Sequence, residues 1–327
     1  MASWRQLLDD ATRALDAAGV TAASTEARWM LEEVSGYDAA ELLANRGDDA
    51  PARAVARLQG MVARRAAGEP LQYVLGHWSF RDLDLLVDPR VLIPRPETEV
   101  VAEVALDEAV RLGARRGRPR TFTRSHTPRP FTIADLGTGS GALALALATQ
   151  LPEAEVWATD VSEDALAVAR ANLAGIGTAA TRVRVASGSW FDALPPFLRG
   201  HVRLVVSNPP YVANREMQSL PADVADHEPM EALVSGPTGL EAIERILADA
   251  PSWLVANGSV VCEIAPHQSV DAVAVALEHG FEEAFTRPDL AGRERVLVAR
   301  RRIGWPGWPT SSTSTRCSSG SGTGPRP

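Results

Sequence analysis

The chain has 327 residues, of which 45% are hydrophobic and 23% charged, with a formal net charge of −8 at pH 7. This is the composition of a water-soluble globular protein with room for two cores, and it excludes a chain too polar to fold. No apolar run reaches the roughly 20 residues of a membrane-spanning helix. The acidic balance argues against a broad nucleic-acid footprint, and Cys262 and Cys317 give neither a disulfide framework nor metal-ligand spacing.

The N-terminal stretch MASWRQLLDDATRALD carries acids early and has neither signal-peptide nor evident transit-peptide character, so a cytoplasmic location is expected. All 33 basic residues are arginine, which with the abundant alanine reads as a coding bias of a GC-rich genome.

Residues 3–76 read as helices. Leu7, Leu8, Ala11, Leu15 and Ala18 fall at helical spacing with Gly19 as a stop, and STEARWMLEEVSGY comes next with Ser24 as a candidate cap. DAAELLANRG is shorter. A further helical stretch opens at Pro51 and is interrupted by Gly68 and Pro70. WSFRDLDLLVDPRVLI alternates with period two, and Asp88–Pro89 reads as the turn of a hairpin. A helix then opens at Pro96, with Glu97 and Glu99 in its first turn.

Residues 111–131 are rich in Arg, Pro and Thr without periodicity, which predicts a solvated, mobile loop. From residue 131 strands alternate with helices: FTIADLG, AEVWATD, RVRVASGSW, VRLVVSNPPY, GSVVCEIAP, FEEAFTRP and RERVLVARR, with helices near 141–150, 162–173, 239–256 and 267–279. This order predicts an α/β domain with a mostly parallel sheet wound on both faces. Only the short DLAGR turn separates the last two strands, so they should pair antiparallel at one edge. Residues 303–327 are low in complexity and read as a disordered tail.

Two strand ends carry chemistry. The first strand runs into DLGTGSG, where Gly137, Thr138, Gly139, Ser140 and Gly141 form a tight turn that lets a ligand approach the backbone ahead of a helix. Asp160 ends the next strand, where an acid can accept both hydroxyls of a ribose. The spacing is G-x-G-x-G with Asp135 upstream, not the G-x-G-x-x-G of dinucleotide folds, and it resembles the class I S-adenosylmethionine-dependent methyltransferases. In that superfamily the adenine lies at the end of the third strand, here Ser189–Trp190, where the indole can stack on it.

The fourth strand ends in Asn208-Pro209-Pro210-Tyr211. The prolines end the ladder and stiffen the turn beyond it. The Asn208 side-chain carbonyl and the Pro209 main-chain carbonyl can both accept from one planar NH2 group, and Tyr211 can pack on a flat substrate. A planar nitrogen resists alkylation because its lone pair is delocalised. Two fixed acceptors orient it and favour the positive charge that develops on it. The stretch reads as a clamp for an amide or an exocyclic amine.

LIPRPETE at 92–99, DLGTGSG, NPPY, HEPMEALVSGPTGL at 227–240, GRERVLVAR at 292–300 and GEPLQYVLG near the N-terminus together resemble the HemK/PrmC type of peptide chain release factor glutamine methyltransferase, from about residue 4 to 301. The resemblance implies a seven-stranded class I methyltransferase domain over 94–302, a helical substrate-docking domain over 1–77 and a hairpin linker over 78–93. It further implies S-adenosyl-L-methionine as methyl donor at Gly137–Gly141, Asp160, Trp190 and Asn208. The substrate would be the glutamine of the Gly-Gly-Gln motif of class 1 release factors, received by Asn208, Pro209, Pro210 and Tyr211. Arg95, Pro96, Glu97 and Glu99 match the stretch that lies beside the cofactor in this family, with Arg95 and Glu97 toward the substrate. Ser189 stands where many relatives have Asp. Transfer is expected to be direct, with no metal, membrane or stable nucleic-acid partner, in a monomer. NPPY alone would also fit an adenine-N6 methyltransferase of DNA or RNA, and the same chemistry fits a ribosomal-protein glutamine.

Overall fold

The hydroxyl of Ser3 accepts from the Gln6 amide, and the Gln6 side chain accepts from the Ser3 amide, so a capping box starts the first helix. In the computed structural model, which describes residues 2–117 and 130–301, five helices succeed one another from this point. They are α1 (Trp4–Ala17), α2 (Ala23–Ser35), α3 (Ala39–Ala44), α4 (Ala52–Ala66) and α5 (Leu71–Leu75). Their apolar stripes meet in one cluster built on Leu7, Leu15, Ala27, Met30, Leu31, Leu58 and Met61. The predicted loop and tail fall largely on residues 118–129 and 302–327, which lie outside the described residues.

The hairpin forms, but its turn is not at Asp88–Pro89. Strands β1 (His77–Phe80) and β2 (Leu83–Leu86) pair antiparallel, with Phe80 opposite Leu83, so the turn is Arg81–Asp82. Arg81 sits at φ 53°, an unusual place for a side-chain-bearing residue. Its amide donates to Glu99 Oε1 at 3.0 Å and its guanidinium to the Glu99 carbonyl at 3.2 Å. Those bonds offset the backbone strain and tie the hairpin to α6 (Pro96–Arg111), which opens with Pro96 in its first turn.

The remaining elements are β3 (Phe131–Leu136), α7 (Ala142–Gln150), β4 (Ala154–Asp160), α8 (Glu163–Gly175), β5 (Val183–Ser187), β6 (Val202–Ser207), β7 (Val212–Ala213), α9 (Ala222–Ala225), α10 (Met230–Leu233), β8 (Val234–Gly236), α11 (Glu241–Trp253), β9 (Leu254–Glu263), α12 (Ser269–Glu278), β10 (Glu283–Pro288) and β11 (Glu294–Arg300). The seven-stranded sheet has the order β10-β11-β9-β6-β3-β4-β5. All neighbours from β9 to β5 are parallel. β11 is antiparallel to both β9 and β10, so it enters the interior of the sheet and leaves β10 at the edge.

Side-chain alternation sends successive residues to opposite faces. Ile133, Val206 and Val261 join α6 and α7 in one buried cluster, while Ala134, Val205 and Val260 join α11 and α12 in another. The apolar strands are therefore covered on both faces, as parallel sheets require. No helix among the described residues is long and apolar enough to cross a membrane.

The parallel arrangement brings the carboxyl ends of β3, β4, β5, β6 and β9 to one rim, the usual ligand side of an open α/β sheet. Because β11 runs the other way, its start, with Arg295, reaches the same rim beside Glu263, and Ile264 donates its amide to the Arg295 carbonyl.

Candidate active site

A cavity of about 200 Å³ opens at this rim. Gly137–Ser140 and Asp160 line one wall, Val91, Leu92, Pro94 and Thr98 another, Ser189 and Trp190 a third, and Asn208, Pro210, Pro229 and Glu231 complete it.

The glycine turn takes its shape from two carboxylates. Gly139 sits at φ 55° with open space where a Cβ would stand, so the backbone itself faces the cavity. Its amide donates to Asp160 Oδ2 at 2.9 Å, and the Ser162 amide donates to Asp160 Oδ1 at 3.0 Å. The carboxylate, held in this way, lines the cavity wall. Burial raises the Asp160 pKa, and the amide bonds work against that rise.

Asp135 lies wholly buried beneath the same turn. It accepts from Thr138 Oγ1 at 2.6 Å and from the Ala144 amide at 3.0 Å, and burial pushes its carboxyl up to about 7. This acid shapes the turn and does not line the cavity.

Beyond β5, Gly188 stands at φ 151°, and a Cβ there would lie 2.9 Å from Ala193 Cα. Its amide donates to the Asp160 carbonyl at 3.0 Å. The loop so fixed holds Trp190 at φ 47°, with its ring 3.6 Å from where a Gly137 methyl would sit. The indole thus closes over the glycine turn, with exposed Ser189 at the lip.

Beyond β6, the side-chain amide of Asn208 donates to Thr98 Oγ1 at 3.2 Å. Thr98 donates to Glu263 Oε2 at 2.7 Å, and Tyr211 donates its hydroxyl to Glu263 Oε1 at 3.1 Å. Asn208 Oδ1 is buried and has no partner among the described residues. A buried acceptor without a donor is costly, and in a residue that lines a cavity it is available to a ligand's N–H. Pro209 is buried behind Asn208, and Gln268 donates to the Tyr211 carbonyl at 3.0 Å.

Of the sequence-derived residues, Gly137, Thr138, Gly139, Ser140, Asp160, Trp190, Asn208 and Pro210 line the cavity. Gly141 caps α7 at φ 88°, just behind the wall. Arg95 and Glu97 are turned away from it. Arg95 pairs with the buried Glu228 at 2.5 Å, and Glu97 pairs with Arg293 at 2.9 Å. These pairs bind the start of α6 to the 227–233 segment and to the β10–β11 turn.

Sequence reasoning missed Thr98, Glu263 and the Pro229–Glu231 wall. The available signal for Glu263 was an acid directly closing the apolar run VVC, a position that burial makes expensive unless it is used.

The chain is similar to known proteins along most of its length. A family model described as "PrmC N-terminal domain" matches residues 6–76, and one described as "Methyltransferase small domain" matches residues 122–227. The release factor glutamine methyltransferase of Moorella thermoacetica is 40% identical over 299 residues, covering 91% of this chain and 98% of its own. The protein of the same name from Mycolicibacterium smegmatis is 38% identical over 302 residues, covering 92% and 99%. Among solved structures, the hMettl16 catalytic domain in complex with the MAT2A 3′UTR hairpin 6 superposes with a TM-score of 0.50 over 77% of this chain and 82% of that one. At 15% identity that likeness is one of fold.

Proposed function

The chain belongs to the release factor glutamine methyltransferase family, and on that premise we propose that it methylates the side-chain amide nitrogen of the Gly-Gly-Gln glutamine in class 1 peptide chain release factors. The single observation that carries this reading is the unpartnered, buried Asn208 Oδ1 at the cavity wall. It is an acceptor held in place for a planar NH2.

The donor is S-adenosylmethionine, which when bound supplies a methyl group on a cationic sulfur. The chain's residues fit such a molecule. Asp160 offers a carboxylate acceptor to ribose hydroxyls, Trp190 a face for the adenine, and the bare backbone at Gly139 a close approach. Asn208 Oδ1 and the Pro209 carbonyl accept the two hydrogens of the glutamine amide and aim its nitrogen at the methyl carbon. With donor and glutamine bound, the amide nitrogen would take the methyl carbon, the carbon–sulfur electron pair would remain with sulfur, and one proton would leave the nitrogen. The two acceptors stabilise the charge that develops before the proton departs. The helical region 1–77, whose core is separate from both clusters on the sheet, is assigned to docking the factor, and 94–302 to the chemistry.

Mass spectrometry tests this directly. A purified class 1 release factor incubated with the protein and S-adenosylmethionine should gain one methyl on its Gly-Gly-Gln peptide, and a factor with that glutamine substituted should gain none. An unmodified peptide with donor binding intact would overturn the substrate.

A further inference from the structure

We infer that Glu263 is a positioning residue that, through Thr98, fixes which end of the Asn208 amide faces the substrate. The inference rests on the function proposed above and concerns a carboxylate that touches neither donor nor glutamine.

The argument is one of hydrogen-bond polarity. Glu263 ends β9 and is fully buried, and its two oxygens face Thr98 from α6 and Tyr211 from beyond β6. The other charged groups near it are the half-buried Arg295 at the start of β11 and, more weakly, Glu97. Burial raises the Glu263 pKa; the bonds from Thr98 and Tyr211 and the charge of Arg295 act against that rise without cancelling it. In this structure both of its oxygens accept, Oε2 from Thr98 and Oε1 from Tyr211.

Thr98 has one proton to give. With Oγ1 2.7 Å from Glu263 Oε2, that proton is committed to the carboxylate, so toward Asn208 the hydroxyl offers only a lone pair. The 3.2 Å contact must therefore be made by the NH2 of Asn208, which leaves Oδ1 as the unpartnered end of the amide in a residue that lines the cavity. With the amide reversed, two acceptors would meet at Thr98, or Thr98 would abandon Glu263. Either loss of a buried hydrogen bond disfavours the reversed amide by about tenfold. A reversed Asn208 would present a donor to a donor and could not hold the substrate NH2. The same side chain accepts from the Tyr211 hydroxyl, so two residues of the clamp answer to one buried acid.

The test uses the full chain in four forms: native, Thr98→Val, Thr98→Ser and Glu263→Gln. Steady-state methylation of a class 1 release factor is measured alongside S-adenosylhomocysteine affinity. In parallel, the Asn208 side-chain amide is followed by NMR in protein labelled with 15N-asparagine, its signal identified by its loss in Asn208→Ala.

Thr98→Val, nearly isosteric but without a hydroxyl, removes the bias between the two amide orientations and should lower kcat by about twofold or more, with a second Asn208 amide environment visible by NMR and S-adenosylhomocysteine affinity unchanged. Thr98→Ser should recover most of that loss. Glu263→Gln can offer Thr98 an NH2, which lets both amide orientations coexist; kcat should fall and the Asn208 signal should shift or split. A purely structural tie between α6 and β9 predicts otherwise: a lower melting temperature, kcat in proportion to folded protein, and an unmoved Asn208 signal. That result would overturn the inference, as would equal losses in Thr98→Val and Thr98→Ser. If the native chain fails to methylate the factor, the proposed substrate falls while the NMR comparison still decides the role of Glu263.

Discussion

Asn208 has one amide with two different ends, and each has its own task. Its NH2 anchors to Thr98, and its oxygen has no partner among the described residues. Asn208→Ala should lower kcat by about 10²–10³-fold, the usual cost of removing one oriented group that acts on the developing charge. Donor affinity should change far less, and single-turnover methylation with separate S-adenosylhomocysteine titration distinguishes the two. Gly239 bears on the same clamp from behind. It sits at φ 87°, and an added Cβ would stand 2.5 Å from the Tyr211 carbonyl and 2.7 Å from Gln268 Nε2. Gly239→Ala should cost about 2–4 kcal/mol through backbone strain and overpacking. It should also slow methylation of the molecules that still fold, because the atom displaced belongs to Tyr211. Chemical denaturation gives the first quantity and kcat per folded molecule the second.

Helix α6 is fastened to the sheet by one buried acid. Glu108 accepts from Arg300 on β11, from Arg111 and from Ser259 on β9. Burial pushes its pKa up, but the two arginines and the serine outweigh burial and hold it below the usual carboxylate value. A depressed carboxyl stabilises the fold above its unfolded pKa and loses that contribution as pH falls through the folded value. Glu108→Gln should therefore cost about 2–3 kcal/mol at pH 7, after allowance for the partly exposed arginines, and much less near pH 3. Urea denaturation at the two pH values checks this.

At this scale the sequence was most readable where signals are local. The central strands of the sheet are apolar runs with clear turn residues between them, β5 and the edge strand β10 being more polar, and the glycine turn and NPPY announce themselves within a few positions. The hairpin turn was not readable, because Arg81 carries no turn signature and its φ of 53° is held by Glu99 from another element. Thr98 and Glu263 were likewise hidden. One reads as the start of a helix and the other as the end of a strand, and only folding across 165 positions makes them partners. Arg95 and Glu97 were readable as a motif but not as ion pairs, since Glu228 and Arg293 lie far along the chain.

For the molecule as a whole, the helical region and the hairpin after it are coupled through His77. Its Nδ1 lies 2.7 Å from Asp84 on β2, and its Nε2 lies 3.1 Å from Glu33 on α2. Burial lowers its pKa, but the hydrogen bonds to both carboxylates overcome this and leave it raised. For a raised histidine the stabilisation is complete below the unfolded pKa, about 6.5, and is lost as pH rises through the folded value. The ring is part exposed, so the effect should stay below about 1 kcal/mol. The melting temperature of the native chain minus that of His77→Gln should be larger at pH 6 than at pH 9, and a difference independent of pH would refute the coupling.

β11 has a consequence of another kind. It is the last strand of the sheet to leave the ribosome, yet it lies inside that sheet, between β9 and β10. Until it arrives, β9 presents an open row of amides and carbonyls on an apolar strand, and β10 has no neighbour. Synthesis proceeds at roughly 5–20 residues per second, so this unpaired edge persists for seconds in every nascent chain. A message cut short before codon 294 would leave the edge open permanently, as a template for pairing with other chains. Such truncated products should be recovered as aggregates or as chaperone clients, not as partly active enzyme.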